Sequence, residues 1–189
     1  MKKNLIIALV VLFATSFFAD AQSKYFTRNG KVSFDANTKS SPDKIEAKNE
    51  KATSVLDAST GQLEFAVLIK AFNFEKALMQ EHFNENYMES DQFPKATFKG
   101  TIKNMSEISL AKDGNYTAKV SGKLTIHGVT KDVETTATFV VKGASISAKS
   151  AFKVVLKDYG IEIPSLVQDK LAKEASISID VNYEILKTS

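Results

Sequence analysis

The stretch that decides the fold is residues 116–141, YTAKVSGKLTIHGVTKDVETTATFVV. Tyr116, Ala118, Val120, Gly122, Leu124 and Ile126 alternate with Thr, Lys and Ser. After His127-Gly128 the alternation resumes at Val133, Thr135, Ala137, Phe139 and Val141. A side-chain period of two marks a strand with one buried and one solvated face. His127-Gly128 reads as a turn between two such strands. Gly128 supplies backbone freedom and the imidazole can bond a nearby carbonyl.

The same pattern extends in both directions. Downstream, Ile146, Ala148, Phe152, Val154 and Leu156 form one set, and Ile177, Ile179, Val181, Tyr183 and Ile185 form another. Upstream, Leu63, Phe65, Val67 and Ile69 share a face in residues 62–72, and Phe98 and Ile102 share one in residues 96–105. Residues 44–56 read as one or two strands ending at a turn over 57–61. Asn29-Gly30 predicts a type I′ hairpin turn between strands over 25–28 and 31–35, because both central residues of that turn need positive φ. The count is about eight strands, antiparallel, with one apolar face.

Two segments are expected to be helical. Residues 74–87 carry Ala77, Leu78, Met79 and Phe83 at helical spacing among charges. Pro164 followed by Ser165 and Gln168 reads as a capping box opening a short helix to about Glu174.

An eight-stranded antiparallel sheet hides its apolar face as a sandwich or as a closed barrel, and periodicity does not choose between them. The inward faces mix small residues (Ala118, Gly122, Ala137, Ala148) with large ones (Phe65, Phe98, Phe139, Phe152). That mixture leaves room inside, although large-small alternation also packs a solid core.

The first residues read as a targeting segment. Lys2-Lys3 precede an apolar run over 5–18, and Ala19-Asp20-Ala21 supplies an A-x-A cleavage signal. The run is shorter than the ~20 residues of a spanning helix, and no cysteine follows it to be acylated. The expectation is a signal peptide over 1–21, a mature domain over 22–189, and a periplasmic or secreted protein.

Composition bounds the remainder. Removing Lys2, Lys3 and Asp20 lowers the formal net charge from +3 to +2. No basic stripe with interleaved aromatics is present, which argues against a nucleic-acid partner. Cysteine is absent, so disulfides, thiolate metal sites and cysteine nucleophiles are ruled out. No G-x-S-x-G, H-E-x-x-H or phosphate-binding glycine loop occurs, and the chain does not read as an enzyme. No cofactor is called for. His82 and His127 are the candidate metal ligands or general base, but no third ligand is evident and both read as structural. Glu81, Glu85, Glu89 and Asp91 lack the alternating loop of a calcium site and read as a solvated helix face.

Two segments carry a family resemblance: HFNENYMESDQFPKATFKG (82–100) and GKLTIHGVTKDV (122–133). The pattern His82-Phe83, Phe93-Pro94, Phe98 and then Leu124 to Lys131 resembles the YceI-like family of bacterial envelope proteins. The resemblance spans about residues 25–186. It implies an elongated, lipocalin-like β-barrel that binds a polyisoprenoid or another long-chain amphiphile, for transport, storage or sensing. A filled-core periplasmic stress protein is the alternative. Transient membrane contact and a homodimer both stay open. If the inward faces line a lipid tunnel, its wall is formed by Phe65, Val67, Phe98, Leu124, Phe139 and Phe152. The helical segment then supplies an adaptable entrance of Leu78, Met79, Phe83, Tyr87 and Met88. The sequence departs from the family's arginines at Lys157-Asp158-Tyr159-Gly160-Ile161 and at Gln80-Glu81-His82. Those departures imply either a different ligand or reliance on apolar fit.

Overall fold

The alternating segments close on themselves. The computed structural model describes residues 24–41 and 44–186. Its strands are β1 Lys24–Asn37, β2 Glu46–Asp57, β3 Gln62–Leu68, β4 Asn73–Phe74, β5 Lys95–Ile102, β6 Gly114–Ile126, β7 Val129–Lys142, β8 Ser145–Val155 and β9 Leu171–Ile185. The hydrogen-bonded order is β1-β9-β8-β7-β6-β5-β3-β2, and β2 bonds back to β1. The result is an eight-stranded antiparallel barrel, with the two-residue β4 added beside β2. A barrel removes the open sheet edges that a sandwich would leave. Among the described residues a single α-helix, α1 (Ala77–His82), widens into one π-helical turn over Phe83–Tyr87 and spans the gap between β4 and β5.

The central hairpin follows its sequence. β6 and β7 pair from Gly114↔Val141 to Ile126↔Val129. His127 (φ 50°) and Gly128 (φ 74°) make the turn between them with the two positive φ angles of a type I′ connection.

The expected hairpin at Asn29-Gly30 does not form. β1 runs straight through it, paired with β2 on one side and β9 on the other, with register shifts on either side of Gly30. Gly30 does not have positive φ. It is needed because a Cβ there would stand 2.9 Å from Val181 and 3.1 Å from the Ala52 carbonyl. Close approach of three strands, rather than reversal, explains the glycine.

The expected helix after Pro164 is a single 3₁₀ turn, Ser165–Val167, with no side-chain cap. β9 begins at Leu171, where pairing with β8 and β1 prevails over the local capping signal. The main helix begins at Ala77 rather than at 74, because Phe74 pairs with Ala47 in the sheet.

The interior divides into two packed regions. One gathers Leu56, Ile102, Ile108, Phe139, Val141 and Tyr183 at the end away from α1. The other gathers Val32, Ile69, Phe72, Phe83, Met88 and Leu156 beneath α1. Phe98 and Ile179 pack against both. Phe98 lies over the Gly100↔Gly122 pair of β5 and β6. A Cβ on Gly122 would come within 2.8 Å of the Phe98 ring and 2.4 Å of the Gly100 Cα. Two bare backbones facing each other give that ring its place.

Candidate functional site

Between the two packed regions the barrel encloses an apolar cavity of about 320 Å³. This is within the roughly 300–1,000 Å³ of small-molecule sites. Phe65, Val67, Phe98, Leu124, Phe139 and Phe152 all line it. They reach it from β3, β5, β6, β7 and β8 because each has inward parity on its strand. Ala137 and Ala148 line it as well, whereas Ala118, paired with Ala137 across β6–β7, lies in the packed end and is fully buried.

Tyr183 also lines this chamber. Its hydroxyl lies 2.9 Å from the Ser54 hydroxyl and its ring stacks on Phe139 at 6.2 Å between centroids. Burial pushes its pKa up to about 12, so the group stays neutral and hydrogen-bonded at physiological pH.

A second chamber of about 210 Å³ lies between α1 and the 156–171 segment, lined in part by Met79, His82, Tyr87, Lys170 and Leu171. Phe34, Phe83, Met88, Leu156 and Ile161 line both chambers and so stand between them. Phe83 is held by three rings, at 5.7 Å from Phe34, 5.6 Å from Phe72 and 4.9 Å from Phe74.

The structure separates the expected entrance residues. Met79 and Tyr87 line the outer chamber, and burial raises the Tyr87 pKa. Phe83 and Met88 are buried in the partition. Leu78 lines neither chamber and is 63% exposed, because it lies in the solvent-facing first turn of α1.

The two histidines lie apart in function. His82 borders the outer chamber and contacts Asn86 through Nδ1 at 3.1 Å. His127 is a joint: its Nε2 is 2.7 Å from Glu89, its Nδ1 is 3.3 Å from the Tyr159 carbonyl, and its ring meets Phe93 edge-on at 4.6 Å. A Cβ on Gly128 would strike Phe93 at 2.6 Å. The two signature segments thus meet in space and tie the end of α1 to the β6–β7 turn. Glu89 had read as part of a solvated face. Its φ of 41° and its bond to a turn 38 residues away carry no local sequence signal. Asp91 of the same group pairs with Lys70. The Tyr159-Gly160 turn, with Gly160 at φ 69°, presents the carbonyl that His127 meets. Among the described residues, no three metal-ligating side chains lie together.

The inner chamber therefore offers burial and aromatic contact over most of its surface. Charged side chains reach its lining at Lys149, and at Glu134 and Lys153 where β7 and β8 separate.

Comparison with known proteins agrees with this architecture. The family model for the YceI-like domain matches residues 18–183. No curated protein matches the chain. A polyisoprenoid-binding domain from Saccharophagus degradans, implicated in plant cell wall breakdown, superposes with a TM-score of 0.74 at 14% identity, over 87% of this chain and 99% of that one. Burkholderia cenocepacia BcnA gives 0.67 at 18% identity, over 82% and 96%. The Campylobacter jejuni YceI protein gives 0.55 at 19% identity, over 74% and 85%. At these identities the likeness is one of fold.

Proposed function

The chain belongs to the YceI-like family, and on that premise we propose that it carries a long-chain, isoprenoid-type lipid inside its barrel. The observation that carries this reading is the closed barrel whose middle is an unfilled, aromatic-lined chamber. A chamber of this kind recognises hydrocarbon by burial. Each methylene moved from water contributes roughly 0.8 kcal/mol. The polyisoprenoid-binding domain of the same fold supports an isoprenoid as the ligand class. The family's arginines are missing at the 157–161 turn and at Gln80-Glu81-His82, so apolar fit carries more of the recognition.

The competitor for such a ligand is the bilayer, which is equally apolar. Transfer from membrane to chamber is thus close to balanced, and the protein can load and unload. That suits a carrier, buffer or sensor better than irreversible capture. In this reading the protein acts by binding and not by catalysis. It touches membranes only transiently. No helix of the described residues is long and apolar enough to cross a membrane. Export rests on residues 1–21, which lie outside the described residues. We read them as a signal peptide that delivers the protein to the periplasm or beyond.

The test is native mass spectrometry of protein isolated from its own compartment, followed by lipid extraction. The expected result is a bound polyprenyl or comparable long-chain lipid. A ligand-free protein that also fails to take up a fluorescent polyprenyl phosphate would refute the carrier.

A further inference from the structure

The wall of the barrel is not bonded all the way round. β7 and β8 pair only from Lys142↔Ser145 to Ala137↔Ser150. Both strands continue past that point. β7 runs on to Val129 beside β6, and β8 runs on to Val155 beside β9. Continuing the register would set Thr135 opposite Phe152 and Glu134 opposite Lys153, yet no backbone bond joins them. At the vertex, Ser150 Oγ donates to the Thr136 carbonyl at 2.7 Å in place of a ladder bond. Beyond it lies a fork.

The cavity passes through this fork. Its lining includes inward-facing Val133, Thr135 and Phe152, and also outward-facing Glu134 and Lys153, all beyond the last bonded pair of the two strands. With no ladder bond between their strands at this level, Glu134 and Lys153 border the chamber from the outer face of the wall. Lys149 pairs with Asp180 at 3.0 Å and Lys153 with Glu174 at 3.2 Å, so both ion pairs run to β9 rather than across to β7.

Three other routes are obstructed. β2 and β3 also part, beyond Thr53↔Ala66, but buried Asn49 seals that gap. Its Nδ2 donates to the Leu68 carbonyl at 2.8 Å, and its Oδ1 accepts from Lys51 N–H at 2.8 Å. The far end is packed with Leu56, Ile102 and Ile108. The α1 end is closed by Phe34, Phe72, Phe74 and Phe83.

We propose that the β7–β8 fork is a lateral portal through which the hydrocarbon chain of the ligand enters and leaves the inner chamber, so that α1 is a fixed plug rather than the gate. The proposal rests on the lipid-carrier reading. It requires only that the two strands spread or close below Ser150, where no backbone bond has to break. An extended, flexible chain can pass such a slit edgewise.

The chain has no cysteine, so engineered pairs are unique. The fork is bridged in Glu134→Cys/Lys153→Cys with a reducible bifunctional thiosulfonate. The outer chamber is bridged in the same way in Met79→Cys/Lys170→Cys. Transfer of a fluorescent polyprenyl phosphate from phosphatidylcholine vesicles is followed before and after reduction, together with equilibrium binding. Bridging the fork should slow transfer by about tenfold or more, reversibly, with equilibrium affinity unchanged. Bridging across α1 should leave the rate alone. A single Thr135→Cys variant capped with a bulky maleimide should also slow transfer, and it leaves the strands unlinked. Transfer as fast with the fork bridged as after reduction, or slowed only by the α1 bridge, would overturn the portal while leaving the carrier intact. Failure of the reduced proteins and the unaltered chain to bind the probe would overturn both.

Discussion

Filling the chamber with a side chain distinguishes a ligand space from loose packing. Ala137 faces the 320 Å³ cavity from β7, and its cross-strand partner Ala118 faces the packed end. An apolar void of about 150 Å³ holds a benzene ring. The phenyl group of Ala137→Phe therefore has a place and takes up roughly half of the chamber. Its own burial offsets local adjustment, and folding stability should change by less than about 1 kcal/mol, within ~4 °C in Tm for a domain of this size. The ligand loses what the ring gains. Six ring carbons displace roughly four methylenes, worth about 3 kcal/mol or a hundredfold in affinity. Ala118→Phe inverts the pattern. Ala118 is 0% exposed and does not line the chamber, so overpacking should cost roughly 1–3 kcal/mol. Calorimetry of both variants, with titration of a fluorescent polyprenyl probe, makes the comparison. Equal loss of Tm in the two variants with unchanged probe affinity in Ala137→Phe would refute the open chamber.

Three further outcomes follow from the same geometry. His127→Ala removes contacts with Glu89, the Tyr159 carbonyl and Phe93, and puts alanine at positive φ. It should cost roughly 1–3 kcal/mol in a urea titration and leave probe affinity unchanged in the folded protein. Gly122→Ala forces a Cβ to 2.4 Å from both Gly100 Cα and the Lys99 carbonyl, and backbone cannot give way as a side chain can. Its unfolding free energy from a urea titration should fall by more than the roughly 1–3 kcal/mol of ordinary overpacking. Tyr183 has its pKa raised from 10.0 to about 12 by burial. The unfolded chain therefore ionises first, and the contribution of Tyr183 is complete below pH 10 and lost as pH rises towards 12. The slope is about 1.4 kcal/mol per pH unit. Urea unfolding from pH 9 to 11.5 should show a decline that is shallower in Tyr183→Phe, and parallel curves would contradict the buried, neutral phenol.

Most of the wall was legible because inward and outward residues along a strand differ in kind. From Tyr116 to Val141 the alternation fixes both strands and the turn between them, and the structure adds only the register. Signals read as local punctuation were less dependable. Asn29-Gly30 has the sequence of a type I′ turn, yet the turn with that geometry is His127-Gly128. The glycine at 30 answers to Val181 and Ala52, which are distant in sequence. Ser165 and Gln168 have the spacing of a cap, but β9 draws the chain into the sheet within a few residues. Propensity loses wherever two strands compete for the same backbone.

Parity shows which residues face inward, while the expectation of a chamber rather than a filled core came from the family resemblance. Phe65, Val67, Phe98, Leu124, Phe139 and Phe152 all face inward, as their parity requires, and line the chamber. The helix was harder, since its amphipathic spacing does not say which apolar residues are gripped and which are free. Phe83 is locked among three rings while Leu78 faces solvent. Two features have no sequence signature. One is the Glu89–His127 contact, which joins a helix end to a hairpin turn. The other is the fork, where β7 and β8 keep their alternation on both sides of a ladder that has stopped. Alternation records burial of a face and is silent about hydrogen bonding at an edge. A strand can therefore look continuous in sequence while the ladder it belongs to has stopped, and the proposed portal rests on a feature of that kind.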